Sequence, residues 1–162
     1  MDIITILSAF IAYLIALLLY FLAPRPWRHR ATFPILLAPP GAILRFALSK
    51  LNSRSPFADK FPIGTFIANI SATLILAGVY AAQRLPTGQG AIRCNALYAL
   101  QQGFCGCLST VSTFVVESRS IRRKRWKWVY VGSSVVLGHV AVLAVVGGVG
   151  WDRGYVPVCS GN

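Results

Sequence analysis

Apolar positions in this chain run in long unbroken blocks, without the half-polar rhythm of a soluble helix or strand. Five blocks stand out, at 3–23, 31–49, 62–82, 94–116 and 128–151. Each matches the roughly 17–25 residues that a helix needs to cross the hydrocarbon of a bilayer. Three of them carry no charge, the last is uncharged apart from His139, and the second is interrupted by Pro34, Pro39, Pro40 and Arg45. A backbone in lipid must bond to itself, so the pattern predicts an all-α membrane protein with five transmembrane helices. The first block is longer than the apolar core of a leader peptide, and no small-residue cleavage site follows it. It is expected to be retained as a span.

Composition agrees with that reading and narrows it. Hydrophobic residues make up 56% of the 162, above the ~45–50% of soluble domains. The net charge of +12 raises nucleic acid as a partner. The basic residues, however, sit in short connections between the blocks, and no zinc-ligand spacing or single-strand-binding motif occurs, so nucleic acid is not expected. No phosphate-binding loop, zinc-protease helix or nucleophile elbow is present, and no enzyme chemistry is expected. Orientation follows from Lys and Arg. Lys50, Arg54, Lys60, Arg119, Arg122, Arg123, Lys124, Arg125 and Lys127 fall on one side of a five-span topology. Arg25, Arg28, Arg30, Arg84, Arg93 and Arg153 fall on the other. The positive-inside rule places the richer side, with the N-terminus, in the cytoplasm and the C-terminus outside. Cys94 and Cys159 then share the outer side, either as a disulfide or as two free thiols.

The candidate chemistry lies inside the blocks. In the third, Thr65, Asn69 and Thr73 recur every fourth residue and form one polar stripe, beside a small-residue stripe of Gly64, Ala68 and Ala72. The stripe reads either as a packing face or as part of an ion path. In the fourth, eight of the twelve residues 103–114 are glycine, serine, threonine or cysteine, and Glu117 follows just after the block. Glycines and hydroxyls at membrane depth suggest a broken helix beside something polar. Gly103 and Gly106 are expected to give the flexibility for that break, and Ser109, Thr113 and Glu117 would form one helical row. Glu117 either faces this polar row or sits at the interface, paired with Arg119–Arg122. In the fifth block Tyr130 and Ser134 are one turn apart, and His139 is read as a packing histidine rather than a proton relay.

These residues carry a resemblance. Gly41-Ala42-Ile43-Leu44-Arg45-Phe46 resembles the GAxxR(Y/F) element of the Fluc/CrcB fluoride channels. Gly64 to Asn69 resembles their GTxxxN element, and Gly103 to Phe114 their GFxGxxTTFSTF element, with Glu117 at the family's spacing. Tyr130 and Ser134 resemble the polar pair on the family's last helix. The elements occur in order, one per span, from about residue 40 to 150. Bacterial members have four spans and form antiparallel dimers, whereas fungal exporters fuse two such halves through one linking span. The chain resembles that linking span, at 1–30, followed by the C-terminal four-helix module, at 31–162.

The resemblance implies passive, selective export of fluoride across the plasma membrane, in assembly with an oppositely oriented half. It implies that Asn69 donates its amide to fluoride and that Phe114 presents a ring edge to the anion. Ser112 and Thr113 would line a polar track, with Glu117 near it and Tyr130 and Ser134 across from it. Backbone carbonyls of Gly106 and Cys107 would help to hold a structural sodium ion between the halves. Arg45 would be a structural or vestibule cation, and Gly64 and Gly103 would serve structural roles. One departure stands out. Val111 occupies a slot that is phenylalanine in the family pattern, so one ring contact is missing. Two other readings stay open: a non-conducting scaffold of the same fold, and a small proton-coupled exporter using Glu117 or His139.

Overall fold

The computed structural model describes residues 3–24, 27–54, 60–85 and 90–158. Five helical segments among them are long and apolar enough to cross a membrane: Ile3–Leu22, Arg30–Ser53, Ile63–Arg84, Ala91–Ser120 and Lys124–Arg153. The described residues contain no strand, as the requirement for internal backbone bonding predicts.

The first span is a single helix, α1 (Ile3–Leu22), that buries only Ala16 and leaves its large side chains exposed except Tyr20, which packs on Phe33. The second begins with a π-helical turn, Arg28–Thr32, continues as α2 (Phe33–Ser49), and ends in the short α3 (Leu51–Arg54). Pro39 and Pro40 lie inside α2, where each removes a backbone donor. The third span is the uninterrupted α4 (Ile63–Arg84). The fifth joins α8 (Lys124–Val142) to α9 (Gly148–Arg153) through a π-helical stretch at Leu143–Gly147. It starts four residues before the apolar block, because helix propagation carries into the basic segment whose charged heads lie outside the hydrocarbon.

The fourth span is the exception. It runs as α5 (Ala91–Ala99), a π-helical turn at Leu100–Cys105, α6 (Gly106–Leu108), and then a break before α7 (Ser112–Ser120). Ser109 is extended, with φ −80° and ψ 156°. The break therefore lies at residues 109–111, and not at the glycines that the sequence suggested. Gly103 is buried against the backbone of Pro34, and Gly41 against the backbone of Phe104. These glycines let the second and fourth spans touch main chain to main chain, the close approach that small residues permit in membranes. The break also means that Ser109 does not share a continuous helical row with Thr113 and Glu117.

The small-residue stripe of α4 forms the core. Ala68 and Ala72 pack with Leu108, and Leu48, Ile75 and Phe104 close around them. Gly64 sits against the backbone of Leu48. At one end of the bundle, the Val156 N–H donates to the Arg84 carbonyl (3.0 Å), tying the tail to the end of the third span. Cys105 and Cys107 are free, and Cys94 takes part in a disulfide. Cys159, the partner considered for it, and the connections at 55–59 and 86–89 lie outside the described residues.

Candidate ion pathway

The break in the fourth span is held by one side chain. Asn69 on α4 grips Thr110 with both arms of its amide. Its Oδ1 accepts from the Thr110 N–H (2.8 Å) and its Nδ2 donates to the Thr110 carbonyl (3.2 Å). A part-buried backbone unit outside a helix needs two partners, and this side chain supplies both. Local hydroxyls complete the turn. Ser109 bonds back to the Cys105 carbonyl (3.0 Å), and the Thr110 hydroxyl accepts from the Thr113 N–H (3.4 Å) at the start of α7. Serine and threonine compete with helical backbone bonding in this way.

The three members of the α4 stripe do three different things. Asn69 holds the break. Thr73 bonds the Asn69 carbonyl one turn back (2.8 Å), which any helical threonine can do. Thr65 donates to Glu117 Oε1 (2.8 Å).

Glu117 is the hub of a second cluster. Its Oε1 also accepts from Asn52 Nδ2 (2.9 Å), and its Oε2 from the Tyr130 hydroxyl (3.3 Å). Asn52 Oδ1 in turn accepts from the Gly64 N–H (2.6 Å), satisfying a donor in the first turn of α4 that has no partner within its own helix. The carboxylate thus joins the second, third, fourth and fifth spans. The interfacial pairing with Arg119–Arg122 does not occur. The described residues hold one ion pair, between the neighbours Arg153 and Asp152. Tyr130 is fully buried, stacked on Phe114 (ring centroids 5.0 Å apart) and met edge-on by Phe61 (5.1 Å). Replacing Glu117 by Gln would turn an amide donor toward one of these three donors. We expect a loss of about 1–3 kcal/mol in stability, read as a lowered melting temperature of the purified protein in detergent.

Between these clusters, the Arg45 guanidinium donates to the Thr113 hydroxyl (2.5 Å). Arg45, Thr113, Thr110, Cys107 and Thr65 line a cavity of about 400 Å³. A larger cavity of about 580 Å³ opens at the end of the bundle, with Glu117, Asn52, Lys60, Arg122 and Arg123 on its walls. Donors and a fixed cation lining a cavity, as at Arg45 and Thr113, are what a small hydrated anion requires when it leaves water.

Not every predicted residue joins this arrangement. Ser112 is exposed and meets only the Thr110 hydroxyl (3.2 Å). Ser134 gives its hydroxyl to the Tyr130 carbonyl (2.7 Å). Val111 is 77% exposed. His139 is exposed, with Nδ1 2.9 Å from the Val135 carbonyl, away from both clusters. One participant went unsingled in the sequence: Asn52 sits in a polar connection without periodicity to mark it. Thr110, read there only as part of the 103–114 run, is the residue that Asn69 holds.

The residues fit the sodium role that the resemblance implies. A continuing helix would give the Gly106 carbonyl the Thr110 N–H, which Asn69 takes instead. The break withdraws the corresponding donor from Cys107. Gly106 is exposed, and a Cβ on it would meet nothing within 4 Å. Carbonyls freed by a broken helix are suitable oxygen ligands for such a cation.

The fold and this site define a polytopic all-α membrane protein with a polar, donor-lined break at membrane depth. Residues 32–149 match the family described as CrcB-like protein, Camphor Resistance (CrcB), and the chain belongs to that family. Similar proteins include Fluoride export protein 1 of Neurospora crassa (40% identical, 80% of this chain and 24% of the relative) and of Candida albicans (40%, 79% and 34%). A Fluoride-specific ion channel FluC of Ignicoccus hospitalis is 36% identical over 63% of this chain and 80% of its own length. The chain thus spans about a quarter to a third of the fungal relatives and most of the archaeal one.

Proposed function

We propose that this chain supplies one half of a fluoride-conducting assembly that lets fluoride leave the cytoplasm across the plasma membrane. The other half is an oppositely oriented module of the same family, and α1 is the span that links or orients the two. The N-terminus lies in the cytoplasm and the C-terminus outside. The observation that carries this reading is the Asn69–Thr110 clamp at the break, beside the Arg45–Thr113 pair and its cavity.

Fluoride gives up a tightly held water shell on entering a pore, and each lost water must be replaced by a donor. The hydroxyls of Thr113, Thr110 and Ser112 form a short donor track over the break, and Arg45 supplies fixed positive charge next to it. Asn69 sets the shape of the track and has a second amide hydrogen for the anion. Phe114, packed on Tyr130, would offer its ring edge to the anion, and Glu117 keeps Tyr130 and α4 in register. Ser134 acts through the Tyr130 backbone, and Val111 marks the slot where this half lacks a ring. A sodium ion at the Gly106 and Cys107 carbonyls would offset the barrier to a buried anion.

The test is fluoride efflux from liposomes, read with a fluoride electrode, with chloride as control. The purified chain is reconstituted alone and with a four-span module of the same family. Selective efflux only in the presence of the second module is the expected result. Efflux from the chain alone would overturn the half-channel assignment. A folded protein without efflux in either preparation would favour a scaffold, the reading that Val111 supports.

A further inference from the structure

We infer that the larger cavity, at the end of the bundle where Glu117 lies, is a binding site for the phosphomonoester headgroup of an anionic lipid. Its walls bring together three cations from two segments: Lys60 before α4, and Arg122 and Arg123 before α8. Glu117, the one carboxylate on its walls among the described residues, already accepts from Asn52, Thr65 and Tyr130. Among the described residues no carboxylate lies within ion-pair distance of Lys60, Arg122 or Arg123. Three cations therefore converge on a volume of about 580 Å³, and none of them is ion-paired with a described carboxylate. That volume falls within the ~300–1,000 Å³ of small-ligand sites.

Two further features specify the ligand. Helix α8 starts at this cavity with Arg123 in the capping position, no side-chain cap and no acidic residue in its first turn. Uncapped N–H groups at a helix start favour a phosphate. A doubly charged phosphomonoester suits three cations better than a singly charged diester, and arginine binds its oxygens in pairs. The source is lipid rather than solute because of position. The cavity opens where four spans end or begin, and Trp126 (half-buried) and Trp128 (72% exposed) follow at once on α8. Tryptophan at a span end marks the headgroup level of the membrane, where basic clusters meet anionic lipid. The inference does not depend on fluoride conduction.

The test uses the purified full chain in detergent micelles and native mass spectrometry, with dioleoyl phosphatidate as probe and dioleoyl phosphatidylcholine as control. Phosphatidate should be retained at least about tenfold better than phosphatidylcholine. The double variant Arg122→Gln/Arg123→Gln and the single variant Lys60→Gln should each lose most of that preference, at about fivefold or more per cation removed. Arg125→Gln/Lys127→Gln removes the same charge from the same segment outside the cavity and should keep it. Equal losses in the two double variants would overturn the site in favour of unspecific charge. Equal retention of the two lipids would overturn it outright. Displacement of phosphatidate by inorganic phosphate at matched concentration would overturn the lipid assignment. Melting temperatures within about 2 °C of the parent, the shift that small surface effects produce, separate lost binding from lost folding.

Discussion

Replacing Asn69 by alanine should abolish fluoride efflux from the assembled channel while the protein still inserts and folds. The substitution removes both partners of the Thr110 backbone. A buried N–H and carbonyl left without partners cost about 1–3 kcal/mol each, so Ser109–Val111 should shift toward a continued helix. The donor track over the break would then lose its shape. A positioning loss of about 2 kcal/mol in the conducting state corresponds to roughly a thirtyfold fall in rate, and loss of the anion's own donor adds to it. Asn69→Asp is the sharper variant. It keeps an acceptor for the Thr110 N–H, loses the donor to the carbonyl, and sets a negative charge on an anion path. Flux should be lost in both variants, and the melting temperature should fall further in Asn69→Ala. A scaffold would keep its assembly with no flux to lose. A proton-coupled exporter would depend more on Glu117 or His139 than on Asn69, and would respond to an imposed proton gradient.

The largest structural effect is expected at Gly103 and Gly41. A methyl group at Gly103 would collide with the Pro34 carbonyl, and one at Gly41 with the Phe104 carbonyl. In each case the obstacle is main chain, not the movable end of a side chain. The second and fourth spans would have to separate, taking with them the wall that carries Arg45. Overpacking usually costs about 1–3 kcal/mol when side chains can give way. A backbone obstacle should exceed that, at about 3 kcal/mol or more for each of Gly103→Ala and Gly41→Ala. The check is the yield of monodisperse protein after extraction, together with the melting temperature. Gly132→Ala is the matched control. It lies on a helix with nothing within 4 Å of the added methyl, and should be neutral or gain up to about 1 kcal/mol from helix propensity. Equal effects at all three positions would show that the close crossing of the two spans is not what these glycines provide.

The five spans were legible in the chain because a bilayer imposes a length and an apolar composition on any segment that crosses it. Boundaries shifted by a few residues only where basic side chains let a helix run past the hydrocarbon. The family elements were legible too, since Asn69, Gly64, Gly103, Phe114 and Glu117 stand at spacings that survive as a linear pattern. A break in the fourth span was also anticipated from composition. Its place and its cause were not. Glycine is the obvious source of flexibility in a linear reading, yet Gly103 serves the crossing of two helices, and the break forms where Asn69, forty-one residues away, offers Thr110 a better partner than its own helix does.

Glu117 makes the same point from another direction. Along the chain its nearest charges are arginines, so pairing with them was one natural expectation. In the folded bundle its partners are uncharged donors from three other spans: Asn52, Thr65 and Tyr130. By itself, then, the sequence determined the number of spans, their composition and the set of residues able to do chemistry at depth, because those follow from local burial in lipid. Only the tertiary structure decided which hydroxyl serves its own backbone and which meets another helix, where the fourth span opens, and which cations share one cavity. Those outcomes depend on contacts between residues far apart in the chain, and helical spacing within one segment carries no information about them.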